Sequence, residues 1–293
     1  MMNFKPCAND GDEACANCGK HGSDVVKLKG CTACRLVKYC GVNCQKADRK
    51  QHKKACKQRA SELEDEQLYN QGHGRPEGDF CPICTLPIQL PMNEYSAFNI
   101  CCMKRICYGC DLAYQKRGMH DCPFCRTPLK AQNLAMVPAA NYFLGKKYYF
   151  GGLGLQKNMR MAIEMHTKAA ELGSVEALYS LGRAYYYGEG VQHDKAKGTQ
   201  FLSKAAMQGF FLARYALGAK NFEKGSYDGA VKHCLISAKM GHMASVEMVK
   251  KMFMSGLATK EQYAQALKGY QDAVEEMKSP VRDEAKRLGS RGA

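Results

Sequence analysis

The sequence predicts two small metal-stabilised modules followed by an all-α array of helical repeats. Three observations support this fold class. First, 16 of the 17 cysteines lie within the first 125 residues, most of them in closely spaced pairs. Second, a segment rich in glycine and charged residues separates two groups of these pairs. Third, a pattern of apolar residues that begins at residue 140 recurs after steps of 37, 36 and 31 residues. A chain of 293 residues can hold two or three domains.

Paired cysteines indicate either a disulfide framework or metal sites, and the redox compartment decides between them. The first residues, MMNFKPCAND, contain no apolar stretch typical of a secretory signal. No later segment approaches the roughly 18 apolar residues that a membrane span needs. We therefore expect a reducing intracellular compartment, cytoplasmic or nuclear, with no membrane partner. In that setting the cysteines are expected to bind metal as thiolates.

Residues 15–56 contain four pairs of potential metal ligands. They are Cys15 and Cys18, Cys31 and Cys34, Cys40 and Cys44, and His52 and Cys56. Two intervening residues allow a tight turn to direct two thiolates at one ion, and zinc takes four nitrogen or sulfur ligands. The last two pairs have three intervening residues, which predicts that each pair lies one helical turn apart on one face. Eight ligands are sufficient for two closed zinc sites.

The order of these pairs, ending in YCGVNCQKADRKQHKKAC, resembles that of the MYND zinc finger over residues 15–56. The resemblance implies one ion bound by Cys15, Cys18, Cys40 and Cys44, and another bound by Cys31, Cys34, His52 and Cys56. MYND fingers generally bind proteins, and several bind proline-rich peptides. Arg49 stands where that family usually has a tryptophan, so we do not expect the proline-rich mode here. Residues 1–14, with the unpaired Cys7, are predicted to be a flexible N-terminus.

Residues 57–80 are predicted to link this finger to a second cysteine-rich module over residues 81–130, because QGHGRPEGD contains three glycines and a proline. The second module also has eight potential ligands. They are Cys81, Cys84, Cys101, Cys102, Cys107, Cys110, Cys122 and Cys125. Together the two modules provide ligands for about four zinc ions per chain.

The second block, from CPIC to CPFCR, resembles a RING finger of the variety in which all eight ligands are cysteine. The cross-brace arrangement of that family implies one ion on Cys81, Cys84, Cys107 and Cys110, and the other on Cys101, Cys102, Cys122 and Cys125. Cys101 and Cys102 are adjacent, and neighbouring side chains point apart in an extended chain. They can share one ion only if the chain bends there. Otherwise one of them is replaced, and His120 is the nearest alternative.

Most RING fingers act as ubiquitin-protein ligases, which dock a charged ubiquitin-conjugating enzyme and hold its ubiquitin in a reactive position. Three residues match that docking surface. Ile83 lies between the first two ligands, Pro123 lies between the last two, and Arg126 follows the eighth ligand. In the family, the cation at the last position bridges the conjugating enzyme and ubiquitin. No residue of the module is expected to form a covalent intermediate.

Residues 140–278 are predicted to be helical repeats, each consisting of two helices. The recurring motifs LGxxY, GxGV and KAAxxG, best preserved in the unit from Ala177, resemble the Sel-one-like repeat, a relative of the tetratricopeptide repeat. Stacked repeats share one continuous core and generally bind proteins. Residues 279–293 are expected to be a flexible tail.

Individual residues support the helix boundaries within the repeats. Four polar residues occupy the same predicted N-cap position before the second helix of each unit: Asn158, Asp194, Ser226 and Thr259. Gln262 follows Thr259 by three residues, as in a capping box. Cys234 falls at a core position, and the run Tyr185–Tyr187 is interpreted as a mostly buried stripe rather than a base-stacking surface.

Three functional hypotheses remain open from the sequence. The leading one is a RING-type ubiquitin ligase in which the MYND finger and the repeats recruit substrate proteins. The second is a non-enzymatic zinc-finger scaffold. The third, nucleic-acid binding, is suggested by the formal charge of +15. Bound thiolates reduce that charge to +8 because each zinc carries only two positive charges, so we consider nucleic acid an unlikely partner.

Overall fold

The computed structural model describes residues 14–23, 25–99, 101–102, 104–119, 121–126, 138–152 and 154–288. Cys7 and His120 lie outside these ranges. The chain divides into two compact units, Met1–Asn70 and Gln71–Ala293, which are described separately below. Among the helices of the described residues, none combines the length and the apolar character needed to cross a membrane.

The first unit contains a small hairpin and one long helix. Strands β1 (Lys29–Gly30) and β2 (Lys38–Tyr39) pair antiparallel, and helix α1 spans Val42–Asn70. The helix continues well beyond residue 56, where we expected a linker, because no glycine or proline interrupts it before Gly72. Ion pairs from Arg59 to Glu62 and Glu66 stabilise this exposed extension.

The second unit begins with the cysteine-rich module that resembles a RING finger. A single 3₁₀ turn at Glu77–Asp79 precedes four elements of regular structure. They are α2 (Met92–Tyr95), β3 (Ser96–Asn99), β4 (Lys104–Cys107) and α3 (Tyr108–Lys116). Strands β3 and β4 pair antiparallel. Ile88 and Ile106 are fully buried and form an apolar core with Cys81 and Cys107.

Eight further helices form the repeat array. They are α4 (Pro138–Phe150), α5 (Met159–Glu171), α6 (Val175–Tyr187), α7 (Lys195–Met207), α8 (Phe211–Glu223), α9 (Tyr227–Lys239), α10 (Met243–Met254) and α11 (Lys260–Glu276). Each helix packs against the next, and α9 also packs against α11. The array is therefore the helical solenoid that the repeated motifs predict.

The glycine of each LG motif explains why the two helices of a repeat pack so closely. A methyl group added to Gly182 would lie 2.8 Å from Cγ of Leu202. The equivalent Gly145 and Gly218 pack in the same way against His166 and Cys234. The buried Cys234 is thus a core residue, as predicted. A larger residue at the glycine position would force the paired helices apart.

Most of the predicted caps are present in the structure. The side chains of Asn158 and Asp194 accept hydrogen bonds from the first turns of α5 and α7, and Thr259 forms the full capping box with Gln262. Ser226 occupies the N-cap of α9, but its side chain makes no cap hydrogen bond.

The tyrosine run at the end of α6 is only partly buried. The ring of Tyr186 is buried, whereas Tyr187 is 59% exposed. Tyr185 is half-buried and stacks on Phe201 with 5.7 Å between ring centroids. Tyr185 and Tyr186 therefore fit the buried-stripe interpretation, whereas Tyr187 is largely exposed and only its edge contact with the Tyr186 ring, 5.1 Å between centroids, joins it to the stripe.

The C-terminal segment differs from the flexible tail that we expected from residue 279. Helix α12 (Pro280–Arg287) begins there, with Ser279 as its N-cap and proline in its first turn. It packs against α3, where Gly109 leaves room for the backbone of Arg282. Lys116 and Glu284 form an ion pair of 2.6 Å across the contact. Helix α12 is therefore structurally part of the RING-like module.

Candidate zinc centres

The structure brings sixteen ligand side chains together as four groups. The groups are Cys15, Cys18, Cys40 and Cys44; Cys31, Cys34, His52 and Cys56; Cys81, Cys84, Cys107 and Cys110; and Cys101, Cys102, Cys122 and Cys125. Within each group, all four ligand atoms lie within 4.8 Å of one another. These are the interleaved sets that the two resemblances imply.

The donor sets fit zinc. A tetrahedral site with zinc–sulfur bonds of about 2.3 Å has sulfurs separated by about 3.8 Å. The Sγ atoms of Cys18 and Cys40 are 3.6 Å apart, those of Cys31 and Cys56 are 3.7 Å apart, and those of Cys84 and Cys107 are 3.8 Å apart. Three groups offer four thiolates, and the fourth offers three thiolates and an imidazole. The clusters are consistent with several bound zinc ions, which would hold these loops closed.

Four of the cysteine pairs form the same turn. The residue after each second cysteine has a left-handed backbone, with φ of 70° at Gly19, 59° at Arg35, 58° at Thr85 and 57° at Arg126. In each turn, the N–H of that residue donates to the carbonyl of the first cysteine over 2.7 to 3.0 Å. Because only one of the four is glycine, the sequence pattern did not predict this conformation.

Backbone N–H groups also favour the thiolate form of the ligands. A hydrogen bond from the backbone of Cys40 is the largest influence that lowers the pKa of Cys15 to about 6, although burial opposes it. The backbone of Cys34 similarly lowers the pKa of Cys31 to about 6. The N–H of Cys107 lies 3.5 Å from Sγ of Cys81. Since zinc binds thiolates, these donors prepare the sites for the metal.

The prediction that Cys40 and Cys44 lie one turn apart on a helix is wrong. His52 and Cys56 both lie on α1 as predicted, but Cys40 precedes the helix, which begins at Val42. The Sγ atoms of Cys40 and Cys44 nevertheless lie 3.5 Å apart. Cys40 follows strand β2 directly, so the chain turns before the helix starts and the pair spans that turn.

The adjacent cysteines of the RING-like module do converge on one group. Cys101 and Cys102 lie in a turn between β3 and β4, and both belong to the group with Cys122 and Cys125. The Sγ atoms of Cys102 and Cys122 are 3.4 Å apart. The bend that adjacent ligands require is therefore present, and no replacement ligand is needed.

The three residues predicted to dock a conjugating enzyme differ in exposure. Ile83 is 46% exposed, Pro123 is half-buried, and the side chain of Arg126 is 64% exposed. The guanidinium of Arg126 donates to the Tyr114 hydroxyl over 2.9 Å and lies 3.8 Å from the carboxylate of Asp121. Asp121 in turn accepts from the Tyr114 hydroxyl.

This hydrogen bond to Asp121 raises the pKa of Tyr114, so the phenol stays protonated as a donor. No sequence pattern indicates these two partners of Arg126, because they are separated from it by 12 and 5 residues and belong to no motif.

Arg282 connects the C-terminal helix to the first zinc group of the RING-like module. Its guanidinium donates to the carbonyls of Pro87 (2.6 Å), Leu86 (3.1 Å) and Met277 (2.8 Å). It also lies 3.4 Å from Sγ of Cys84. A hydrogen bond to a ligand sulfur orients the ligand and stabilises its negative charge.

A buried ion pair anchors the segment that precedes the RING-like module. Arg75 and Asp79 are 3.1 Å apart, and each side chain is only 6% exposed. Arg75 also donates to the carbonyl of Ile88 over 2.6 Å. Burial lowers the pKa of Arg75 and raises that of Asp79, while their mutual attraction opposes both shifts. Part of the predicted linker is therefore integral to the module.

Comparison with known proteins identifies two of the three regions. Residues 15–56 match the model of the MYND finger family, and residues 138–174 and 175–210 match that of the Sel1 repeat. A relative in Saccharomyces cerevisiae, protein SHC1, is 33% identical over 94 residues, which make up 32% of this chain and 18% of SHC1. The match thus spans less than a fifth of that relative.

Two solved structures resemble the chain over about half of its length. One is c5321, a protective antigen of uropathogenic Escherichia coli with an SLR fold, which has 27% identity and a TM-score of 0.41 over 53% of this chain and 34% of that one. The other is a Sel1 repeat protein from Oxalobacter formigenes, with 25% identity and a TM-score of 0.40 over 52% of this chain and 45% of that one. The two family models, over residues 15–56 and 138–210, indicate a MYND finger followed by Sel1 repeats, an architecture that supports a scaffold or adaptor role.

Proposed function

We propose that this protein is a RING-type ubiquitin-protein ligase in which the MYND finger and the Sel1 repeats recruit substrate proteins. The observation that carries the proposal is the interleaving of eight cysteines as two groups, with the first, second, fifth and sixth in one and the others in the second. This arrangement holds Ile83 and Arg126 at an exposed surface.

We propose that this module acts by positioning the reacting groups and forms no covalent intermediate of its own. A lysine amine of the substrate attacks the thioester that joins ubiquitin to the conjugating enzyme, an isopeptide bond forms, the amine loses its proton, and the enzyme's thiolate leaves. The module contributes by holding the thioester in a reactive orientation, which raises the effective concentration of the reacting groups. Ile83 and Pro123 would contact the conjugating enzyme, and Arg126 would contact both the enzyme and ubiquitin.

The test is ubiquitin chain formation by the zinc-loaded protein with activating enzyme and a panel of conjugating enzymes. We expect activity with at least one enzyme, and about a tenfold or greater loss in Arg126→Ala. Arg117→Ala is a matched control, because Arg117 is an exposed cation of the same module outside the docking set. Zinc content by native mass spectrometry should be equal in all variants. Inactivity with every conjugating enzyme, or full activity of Arg126→Ala, would contradict the proposal.

A non-enzymatic scaffold is the second candidate, and the surroundings of Arg126 favour it. Tyr114 and Asp121 already engage the guanidinium within the module, so a conjugating enzyme would have to compete for it. Replacing Asp121 with asparagine separates the two candidates. A ligase restrained by this contact should gain activity in Asp121→Asn, whereas a scaffold should show no activity in either form.

A further inference from the structure

A cavity of about 670 Å³ lies between the RING-like module and the repeats. Helix α2 with its N-cap Pro91, strand β3 and strand β4 form one wall, and α4 with the first turns of α6 and α8 forms the other. Residues from both regions line it, among them Phe98, Arg105, Phe143, Lys146 and Phe211. We call it the module–repeat groove. Its volume is that of a site for a few side chains.

Aromatic rings form much of the groove. Phe98 of the module stacks on Phe143 of the first repeat, with 5.8 Å between centroids and 7° between ring planes. Phe210 and Phe211 are buried at the beginning of α8. The stacked pair joins the two walls, and the half-buried rings of Phe98 and Phe143 leave surface for an apolar side chain.

Two cations in the groove form no direct ion pair among the residues that the structure describes, although the charge of Arg105 also acts on Asp79. Arg105 donates to the Ser96 hydroxyl over 3.2 Å and lies over the Phe98 ring at 5.3 Å. Lys146 has an exposed side chain, yet partial desolvation of its ammonium, followed by the charges of Arg105 and Lys147, lowers its pKa. These like charges lie close enough to repel one another, and an anion between them would relieve that repulsion.

The lining of the groove holds one carboxylate against two cations. Glu176 is the single carboxylate among the lining residues, and it accepts a hydrogen bond from the Ser174 hydroxyl over 3.1 Å. The N-terminus of α8 adds positive potential, because Phe210 at its N-cap provides no side-chain cap. The groove therefore combines aromatic surface with unbalanced positive charge.

Aromatic and cationic residues also line the array beyond the groove. Two smaller cavities of about 140 and 210 Å³ follow on helices α4, α6 and α8. Arg183 lines both, at the position in its repeat that Lys146 occupies in the first. The carboxylates there accept from tyrosine hydroxyls, Glu189 from Tyr149 over 2.7 Å and Glu223 from Tyr186. An extended chain lying along these helices would meet alternating aromatic and cationic positions.

We propose that the module–repeat groove binds an extended peptide segment of a partner protein in which a carboxylate lies beside bulky apolar side chains. The carboxylate would lie between Arg105 and Lys146, and the apolar side chains would contact Phe98 and Phe143. Such a partner complements both the aromatic rings and the cations of the groove, whereas an RNA strand would present phosphates without apolar side chains. The proposal names the partner class for the adaptor role and does not depend on ligase activity.

The test is a selection from randomised heptapeptides with the full zinc-loaded chain, followed by fluorescence anisotropy of a selected peptide. We expect enrichment of aspartate or glutamate next to phenylalanine, tyrosine, leucine or methionine. In Arg105→Ala with Lys146→Ala, the Kd should rise about tenfold or more, because two partly desolvated charge pairs are lost. The charge-matched control is Lys224→Ala with Lys260→Ala, since both lysines are exposed and lie outside the groove.

A reversal variant, Arg105→Glu with Lys146→Glu, keeps the test independent of a loss of fold. It should select peptides rich in lysine and arginine from the same library. Peptides without acidic enrichment, or equal affinity in the alanine variant, would overturn the proposal. So would displacement of the peptide by short polyuridine, or self-association of the chain that needs Arg105 and Lys146. Arg126→Ala should leave peptide binding unchanged, so failure of the ligase proposal remains distinguishable from failure of this one.

Discussion

The two cysteine-rich modules use similar metal ligands but rest on different supports. Among the described residues of the first unit, four side chains are buried, and three of them are candidate zinc ligands: Cys15, Cys31 and Cys34. The fourth is Tyr39, whose hydroxyl donates to Asp48 over 2.7 Å. The RING-like module instead buries Ile88 and Ile106.

The RING-like module also has support from distant parts of its own unit. Arg282 donates hydrogen bonds to it from the C-terminal helix. Arg75, from the segment that precedes the module, donates a hydrogen bond to the carbonyl of Ile88 within it. Two modules with similar ligand sets can therefore depend on bound metal to different degrees for their folding. In the first module almost every buried group is a candidate ligand, so the metal provides the core. In the RING-like module the metal adds to an apolar core and to protein contacts that exist without it.

Removal of zinc should have the largest effect and should separate the two modules. Structural zinc contributes about 10–16 kcal/mol to folding in small fingers. With a chelator, residues 15–56 should lose all amide protection, whereas Lys104–Lys116 should retain part of it through the apolar core and α12. Hydrogen exchange with mass spectrometry measures both regions in one experiment. Helices α4 to α11 serve as the internal control, since they hold none of the four ligand groups.

Re-addition of zinc should restore protection in both modules. Equal and simultaneous loss of protection in the two modules would contradict the difference proposed here. Earlier loss in the RING-like module would reverse it.

Replacement of Arg282 by alanine should have an intermediate effect and should act on one module alone. The change leaves three carbonyl acceptors and a ligand sulfur without their donor. We expect a loss of about 2–3 kcal/mol in the stability of the RING-like module and faster zinc release from the group that contains Cys84. A colorimetric zinc-release assay checks the second effect.

Arg287→Ala is the matched control, because Arg287 is an exposed arginine of the same helix. Exchange in residues 15–56 should not change in either variant. If Arg282→Ala and Arg287→Ala release zinc at the same rate, Arg282 does not stabilise the site.

Much of the fold was predictable because its signals are local. Ligand pairs two or three residues apart, and repeats about 36 residues apart, are visible without knowledge of tertiary contacts. The contact of Arg282 with Cys84 was not, because 198 residues separate them. Ser279 and Pro280 do form a helix-start signal, but nothing local shows what that helix packs against.

The candidate site shows the same division between local and distant information. The ligand groups follow from spacing and family order, whereas the partners of Arg126 depend on how α3 lies beside the last ligand pair. The module–repeat groove also arises from tertiary packing, because Phe98 and Phe143 lie 45 residues apart in the chain and belong to different modules.

Acid should produce the smallest effect, and it concerns the first repeat rather than zinc. His166 is 3% exposed, its Nε2 has no hydrogen-bond partner among the described residues, and burial lowers its pKa to about 4. In the unfolded chain an imidazole has a pKa of about 6.5. Between these values the unfolded state binds more protons, so stability falls as the pH decreases from about 6.5 to 4. At pH 5.5 we expect a loss of about 1 kcal/mol relative to neutral pH.

His166→Leu should remove this pH dependence, because Leu202 occupies the equivalent position of the second repeat and packs against the equivalent glycine. The measurement is amide exchange of α4 and α5 at about pH 7.5 and 5.5, corrected for the intrinsic rate. Lys146, Arg183 and Glu189 share the cavity beside this imidazole, and the Glu189 carboxylate accepts a hydrogen bond from the Tyr149 hydroxyl. If His166→Leu keeps the full pH dependence of stability, groups other than His166 cause it. Loss of the dependence would show that this repeat, and not only the zinc modules, limits stability in acid.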